Sequence, residues 1–199
     1  MGMIGVLHCC VSACINIKFC FKYCIILMSI LEEVGYYGPI ILIFLSIYLL
    51  WDHNNLFFFY IIGLICDIIL NIILKTIIQQ PRPNLDSKQL QLALKNNKRF
   101  LYKDGIPYDL FGMPSGHVES SAFSTAYVYL ALRQTNWLYV YLIMDAIIMY
   151  QRVTSNDHST AQVIVGALVG TGLAYVMYQF AENKIKGHIR EKPDDNGPI

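Results

Sequence analysis

Apolar residues in this chain run in long stretches separated by short polar breaks, and the length of the stretches decides the class of fold. A helix needs ~20 apolar residues to cross a bilayer, and runs at 36–51, 56–79, 115–133, 137–153 and 158–181 meet or approach that length. A further apolar stretch, 3–31, is interrupted by Asn16, Lys18 and Lys22. Lysine at mid-bilayer costs a few kcal/mol unless it snorkels or finds a partner, so this segment either crosses or lies in the interface. The predicted fold is all-α: a polytopic membrane helix bundle of five to six transmembrane helices. The N-terminal run does not read as a signal peptide, because its basic residues follow the first apolar stretch instead of preceding it.

Polar residues inside the runs say which faces turn inward. Gly38 and Pro39 are expected in the first turn of the 36–51 span, where proline is tolerated, with Trp51 at the far interface. Asp67, Asn71 and Lys75 recur at i, i+4, i+8 and form one stripe that must face the bundle. They line an interior leading to a polar site, or they bond neighbouring helices. His117, Ser121, Ser124, Thr125 and Val128 give the 115–133 span a small, hydroxyl-bearing face suited to packing on the 56–79 and 158–181 spans. Gly166, Gly170 and Gly172 provide for close helix approach in the last span, and Asp145 is a buried acid with no evident partner. In the long loop 80–113, Leu90, Leu94, Asn97 and Leu101 fall at helical spacing among Lys88, Lys95, Lys98, Arg99 and Lys103. That is either an amphipathic helix on the membrane surface or a solvated cap.

Composition narrows the picture mainly by exclusion. A formal net charge of +1 over 199 residues, with no basic stripe interleaved with exposed aromatics, gives no reason to expect a nucleic-acid partner. The six cysteines, Cys9, Cys10, Cys14, Cys20, Cys24 and Cys66, include no C-x-x-C pair and no histidine at ligand spacing. They serve as apolar filler, or the N-terminal group is palmitoylated.

The chemistry gathers around Gly112-Met113-Pro114-Ser115-Gly116-His117, where the basic loop meets an apolar run. Pro and Gly set a turn and Ser115 can cap the helix beyond it. Unpaired N–H groups and a partial positive charge would then face the loop as an anion cradle, unless the turn merely caps the helix. Lys75, followed after six residues by Arg82-Pro83, and Arg152, followed after five by His158, bring further cations and a second imidazole from two other helix ends. These three segments together, Lys75 to Gln162, resemble the signature of the type 2 phosphatidic acid phosphatases (PAP2), whose fold is shared with vanadium haloperoxidases. The resemblance implies a PAP2-type helical core and a lipid phosphate or diphosphate as substrate, met in the bilayer. It further implies His158 as nucleophile forming a phosphohistidine, His117 as acid for the leaving oxygen, and Lys75, Arg82, Ser115, Gly116 and Arg152 as phosphate-binding residues. No cofactor is implied, and no Asp, Glu and His cluster appears that would hold a metal.

Two positions depart from the family pattern. Gln151 stands where the family usually has Ser, and Gln162 where it usually has the Asp that orients the nucleophilic histidine. An amide cannot stabilise an imidazolium by charge, but its carbonyl can accept an imidazole N–H and fix the tautomer. His158-x3-Gln162, with Leu74-Lys75 and Gln80-Pro81-Arg82-Pro83, is most similar to the dolichyl diphosphate phosphatase branch. The expectation is an integral membrane lipid phosphatase. The alternatives are an inactive or weak headgroup-binding relative and a lipid phosphotransferase. Basic residues in the tail and Arg133 place the C-terminus in the cytoplasm and the three motif segments on the opposite face, as in the endoplasmic reticulum or another endomembrane. Residues 1–31 are then an uncertain N-terminal apolar segment, 32–183 the phosphatase domain, and 184–199 a polar disordered tail.

Overall fold

The computed structural model describes residues 28–96, 99–103 and 106–190. Two compact units are distinguished, Met1–Val34 and Gly35–Ile199; of the first, residues 28–34 are described and are helical. The apolar stretch 3–31, with its lysines and five of the cysteines, lies almost wholly outside the described residues. All three motif segments belong to the second unit.

The bundle is all-helical, as the apolar runs require. Its helices are α1 (Met28–Leu50), α2 (Asn54–Ile78), α4 (Gly116–Leu132), α5 (Thr135–Thr154) and α6 (Thr160–Arg190), with a short α3 (Ser87–Lys95) in the connecting loop. Among the described residues, α1, α2 and the Thr160–Ile185 part of α6 are long and apolar enough to cross a membrane. Helix α4 has 17 residues and lies at the centre, packed against α2, α5 and α6. A helix surrounded by other helices need not be apolar towards lipid, which is why its serines and Glu119 are compatible with this position.

Helix α2 shows how the sequence produces an inward polar face. Its buried residues are Tyr60, Gly63, Asp67, Asn71 and Lys75, spaced by three or four, while Ile65, Ile68, Ile69, Ile72, Ile73 and Ile77 are exposed. The apolar side chains face outward where lipid takes the place of water. The polar side chains at 60, 67 and 71 find partners on α4. Ser120 Oγ donates to Asp67 at 2.7 Å, Asn71 Nδ2 donates to Glu119 at 2.5 Å, and the Tyr60 and Ser124 hydroxyls share a bond of 2.9 Å. Asp145 of α5 is likewise bonded to α4, its Oδ2 accepting from Thr125 Oγ1 at 2.7 Å.

Four expectations are corrected. Gly38 and Pro39 lie inside α1, not in its first turn, since the helix is continuous from Met28. The missing proline N–H is tolerated in a spanning helix held by its neighbours, and here a Cβ on Gly38 would stand 2.6 Å from Ile148 of α5. Gly166 and Gly170 do permit close approach to α4, because side chains there would strike the backbone of Ser115 and Glu119, but Gly172 has nothing within 4 Å. The helical spacing read through Leu101 stops at Lys95. Residues Phe100–Lys103 and Ile106–Asp109 instead form an antiparallel hairpin, with Leu101 opposite Tyr108. Finally, α6 remains helical through Arg190, well into the segment expected to be a disordered tail.

The hairpin continues into a second pairing that places the site. Arg82 N–H donates to Leu110 O at 3.2 Å and Gly112 N–H to Gln80 O at 2.8 Å, with Pro81 bridged to Phe111. Arg99 fastens the hairpin to the end of α2: it pairs with Asp109 at 3.0 Å and donates to Thr76 Oγ1 at 2.7 Å. The segments bearing Arg82 and Gly112 are thereby fixed side by side.

Candidate active site

The site forms where α2 ends, α4 begins, α5 ends and α6 begins. Lys75 sits in the last turn of α2, its ammonium 4.0 Å from Asp109. Arg82 is oriented by its Nε, which donates to the Asp109 carbonyl at 2.8 Å. Arg152, buried in the last turn of α5, pairs with Asp157 at 2.9 Å, and Asp157 also accepts from Asn84 at 3.2 Å. Buried ion pairs of this kind hold long cationic side chains in one geometry more than they add stability.

His158 is 2% exposed, and its two nitrogens are distinguished by their partners. Nδ1 lies 2.9 Å from the Gly112 carbonyl and 3.3 Å from Gln162 Oε1. Both partner atoms only accept, so the proton resides on Nδ1 and Nε2 presents its lone pair. That lone pair receives an N–H from Arg82 Nη1 at 3.0 Å. Burial, and then the charges of Arg82, Arg152 and Lys75, hold the imidazole well below the usual histidine pKa, against the opposing pull of the Gly112 carbonyl. The ring is neutral, with its basic nitrogen among the cations.

Ser115 occupies the N-cap position of α4, as the sequence indicates, but its side chain makes no capping bond. Its N–H is also not part of an open cradle, because it donates to the Gln162 carbonyl at 3.1 Å. Helix geometry leaves the N–H groups of Gly116, His117 and Val118 without an intrahelical acceptor. The Ser115 Oγ is buried with no hydrogen-bond partner, an unusual state for a hydroxyl. Gly116 sits against the Asn71 amide, with which a Cβ would be in contact at 3.3 Å. His117 is half-buried, 5.9 Å between ring centroids from Tyr36 of α1. It lies within electrostatic reach of the same Arg152, Arg82 and Lys75 charges that act on His158.

Gln162 is 1% exposed and fully engaged. Besides its contact with His158, Oε1 accepts from the Ser159 N–H at 3.2 Å, while Nε2 donates to the Pro81 carbonyl at 2.9 Å and to Gln80 Oε1 at 3.2 Å. The shorter bond from His158 Nδ1 goes to the Gly112 carbonyl, not to Gln162 as the family resemblance implies. Residue types and spacing alone miss the Gly112 carbonyl's bond to His158, and miss Asp109, Asp157, Asn84 and Glu119. Gly112 and Asp109 are brought in by the strand pairing across the loop. Asp157 stands one residue before His158, in what the sequence presents as a plain short loop. Among the described residues, no group of three His, Cys, Asp or Glu is placed to hold a metal ion.

Three cations, a helix N-terminus and two imidazoles are thus gathered at one end of a helical membrane bundle. The profile of the PAP2 superfamily matches residues 56–186, and the chain belongs to that family. It is an integral membrane protein. Two solved structures are similar in fold. Aquifex aeolicus LpxE is 23% identical, with a TM-score of 0.57 over 77% of this chain and 86% of its own. The first transmembrane PAP2-type phosphatidylglycerolphosphate phosphatase from Bacillus subtilis is 17% identical, with a TM-score of 0.54 over 78% and 76%. No curated protein matches the chain.

Proposed function

We propose that the protein is a membrane lipid phosphatase that cleaves a phosphomonoester or diphosphate through a phosphohistidine on His158. The observation that carries this reading is the state of His158: a neutral ring whose Nδ1 proton is held by a backbone carbonyl and whose Nε2 lone pair lies beside Arg82. Membership of the PAP2 superfamily supports it, as does the phosphatase named among the similar structures.

Substrate binding draws the Arg82 N–H from Nε2 onto a phosphoryl oxygen, freeing the lone pair for in-line attack on phosphorus. Lys75, Arg82 and Arg152, with the first N–H groups of α4, stabilise the equatorial oxygens, and arginine matches them as a planar fork. The N–P bond forms as the P–O bond to the lipid breaks, and His117, which takes up a proton once the phosphate's negative charge offsets the neighbouring cations, gives that proton to the departing oxygen. His117 then takes a proton from water, whose oxygen attacks phosphorus, and the N–P bond breaks to release phosphate and restore His158. This scheme employs no metal. The scissile group lies at the ends of spanning helices, so the lipid remains in the bilayer during turnover. Basic residues of the tail favour a non-cytoplasmic site in the endoplasmic reticulum or another endomembrane, and the Gln162 variant favours a polyprenyl diphosphate of the dolichyl kind.

Phosphate release by purified protein in EDTA, on isoprenyl diphosphates, phosphatidate and lysophosphatidate, tests the reading. His158→Ala is expected to abolish release, and His117→Ala to lower it by ~10²-fold or more. Equal release by wild type and His158→Ala would leave a headgroup-binding protein, and a new lipid product without free phosphate would select a phosphotransferase.

A further inference from the structure

We propose that Gln162 is a positioning residue that acts on Arg82 by tying the Gln80-Pro81-Arg82 segment to the turn bearing His158, while the Gly112 carbonyl orients the His158 ring. The inference rests on the phosphatase reading and concerns how the same site is held. Nδ1 of His158 is closer to Gly112 O, at 2.9 Å, than to Gln162 Oε1, at 3.3 Å. The ring would keep its tautomer with Gly112 alone. What only Gln162 supplies is donation: Nε2 bonds the Pro81 carbonyl at 2.9 Å and Gln80 Oε1 at 3.2 Å. Both partner atoms are acceptors on the residues immediately before Arg82, and the Oε1 end is anchored on Ser159 N–H at 3.2 Å.

Close packing supports the same role. A side chain on Gly112 would strike Gln162 Oε1, with Cδ at 2.8 Å and Nε2 at 2.9 Å. The amide is therefore clamped between Gly112 on one side and the Gln80 side chain and Pro81 carbonyl on the other, and the Gln162 carbonyl receives the Ser115 N–H at 3.1 Å. One residue thus joins all three motif segments. A carboxylate at 162 would accept from Ser159 and His158 equally well, yet would oppose the Pro81 carbonyl and Gln80 Oε1 with negative charge. An amide at 162 and Gln80 match as donor and acceptor.

Gln162→Glu separates the two roles because it keeps length and accepting power and removes donation. It is compared with wild type at alkaline pH, where the carboxyl is ionised, by inorganic-phosphate binding and by steady-state kinetics on an isoprenyl diphosphate. Phosphate binding is expected to weaken about tenfold and KM to rise with it, with kcat changed less. Gln80→Lys/Gln162→Glu, which replaces the amide pair at a half-buried position by an ion pair, is expected to restore phosphate binding. Wild-type phosphate affinity in Gln162→Glu, a faster turnover from the added carboxylate, or failure of Lys at position 80 to restore binding would overturn the proposal. Should Gln162→Glu not fold, the double variant decides: recovery of fold and phosphate binding supports the tie, and its absence overturns it. Wild-type protein that binds phosphate but releases none from any lipid would sink the phosphatase reading instead, leaving phosphate binding to judge the tie.

Discussion

His158 is buried among cations, and that environment makes a definite pH prediction. A histidine whose folded pKa is depressed binds its proton more weakly when folded than when unfolded. Between the folded value and the ordinary value of ~6.5, the unfolded chain therefore holds more protons and stability falls as pH falls. Thermal unfolding in detergent should show loss of stability setting in below pH ~6.5, at up to ~1.4 kcal/mol per pH unit from this residue. His158→Ala should flatten that dependence. Ser115 offers a different separation. Its Oγ lacks a partner, so Ser115→Ala removes no bond from the folded protein and should leave the unfolding midpoint unchanged or slightly raised. If the hydroxyl donates to a phosphoryl oxygen, kcat/KM for a lipid phosphate should fall by ~10-fold. At this scale the three-part spacing picks out Lys75, Arg82, His117, Arg152 and His158, and the structure brings these five into one electrostatic neighbourhood. The sequence could not supply the role of Gly112 towards His158, because that bond is made by a backbone carbonyl, which every residue has.

Among the helices, the α4–α6 contact determines how closely the His117 and His158 ends approach. Gly170 lies directly on the Glu119 backbone, so Gly170→Ala should force the pair apart and cost ~1–3 kcal/mol. Gly172→Ala, two residues along and facing open space, should change the unfolding midpoint little. Both glycines fit a small-residue pattern, and the linear code does not distinguish them. Which glycine meets a helix depends on the rotation of α6 against α4. The polar stripe of α2 is easier to read, since Asp67, Asn71 and Lys75 in an apolar run must face inward whatever the partner. The partners Ser120 and Glu119 were not legible, because pairing depends on the relative height of two neighbouring helices.

In the molecule as a whole, the loop between α2 and α4 lays Gln80–Arg82 alongside Leu110–Gly112, and Arg99 pins that arrangement to the end of α2. Arg99→Ala should release the hairpin while the bundle persists. Hydrogen exchange of the backbone amides at 108–112 is expected to quicken, with α4 and the first turns of α2 unchanged. An unchanged exchange pattern would mean that strand pairing alone holds the loop. The basic residues there read equally well as a surface helix or a solvated cap, and Arg99 proves instead to be a structural clamp. Helical spacing of leucines continues past Lys95 in sequence, but backbone pairing of Arg99 with Leu110 takes the chain into a strand.

Hydrophobic run length by itself determined that this is a membrane helix bundle, because nothing but helices or closed barrels satisfies the backbone in lipid. Motif order determined which cations and imidazoles belong together. Only the tertiary structure decided which atom holds the His158 proton, which glycines touch, and that Gln162 faces the Arg82 segment as well as the histidine. Those outcomes depend on hydrogen bonds between residues far apart in the chain, many of them formed by backbone groups that every residue possesses and no sequence pattern marks.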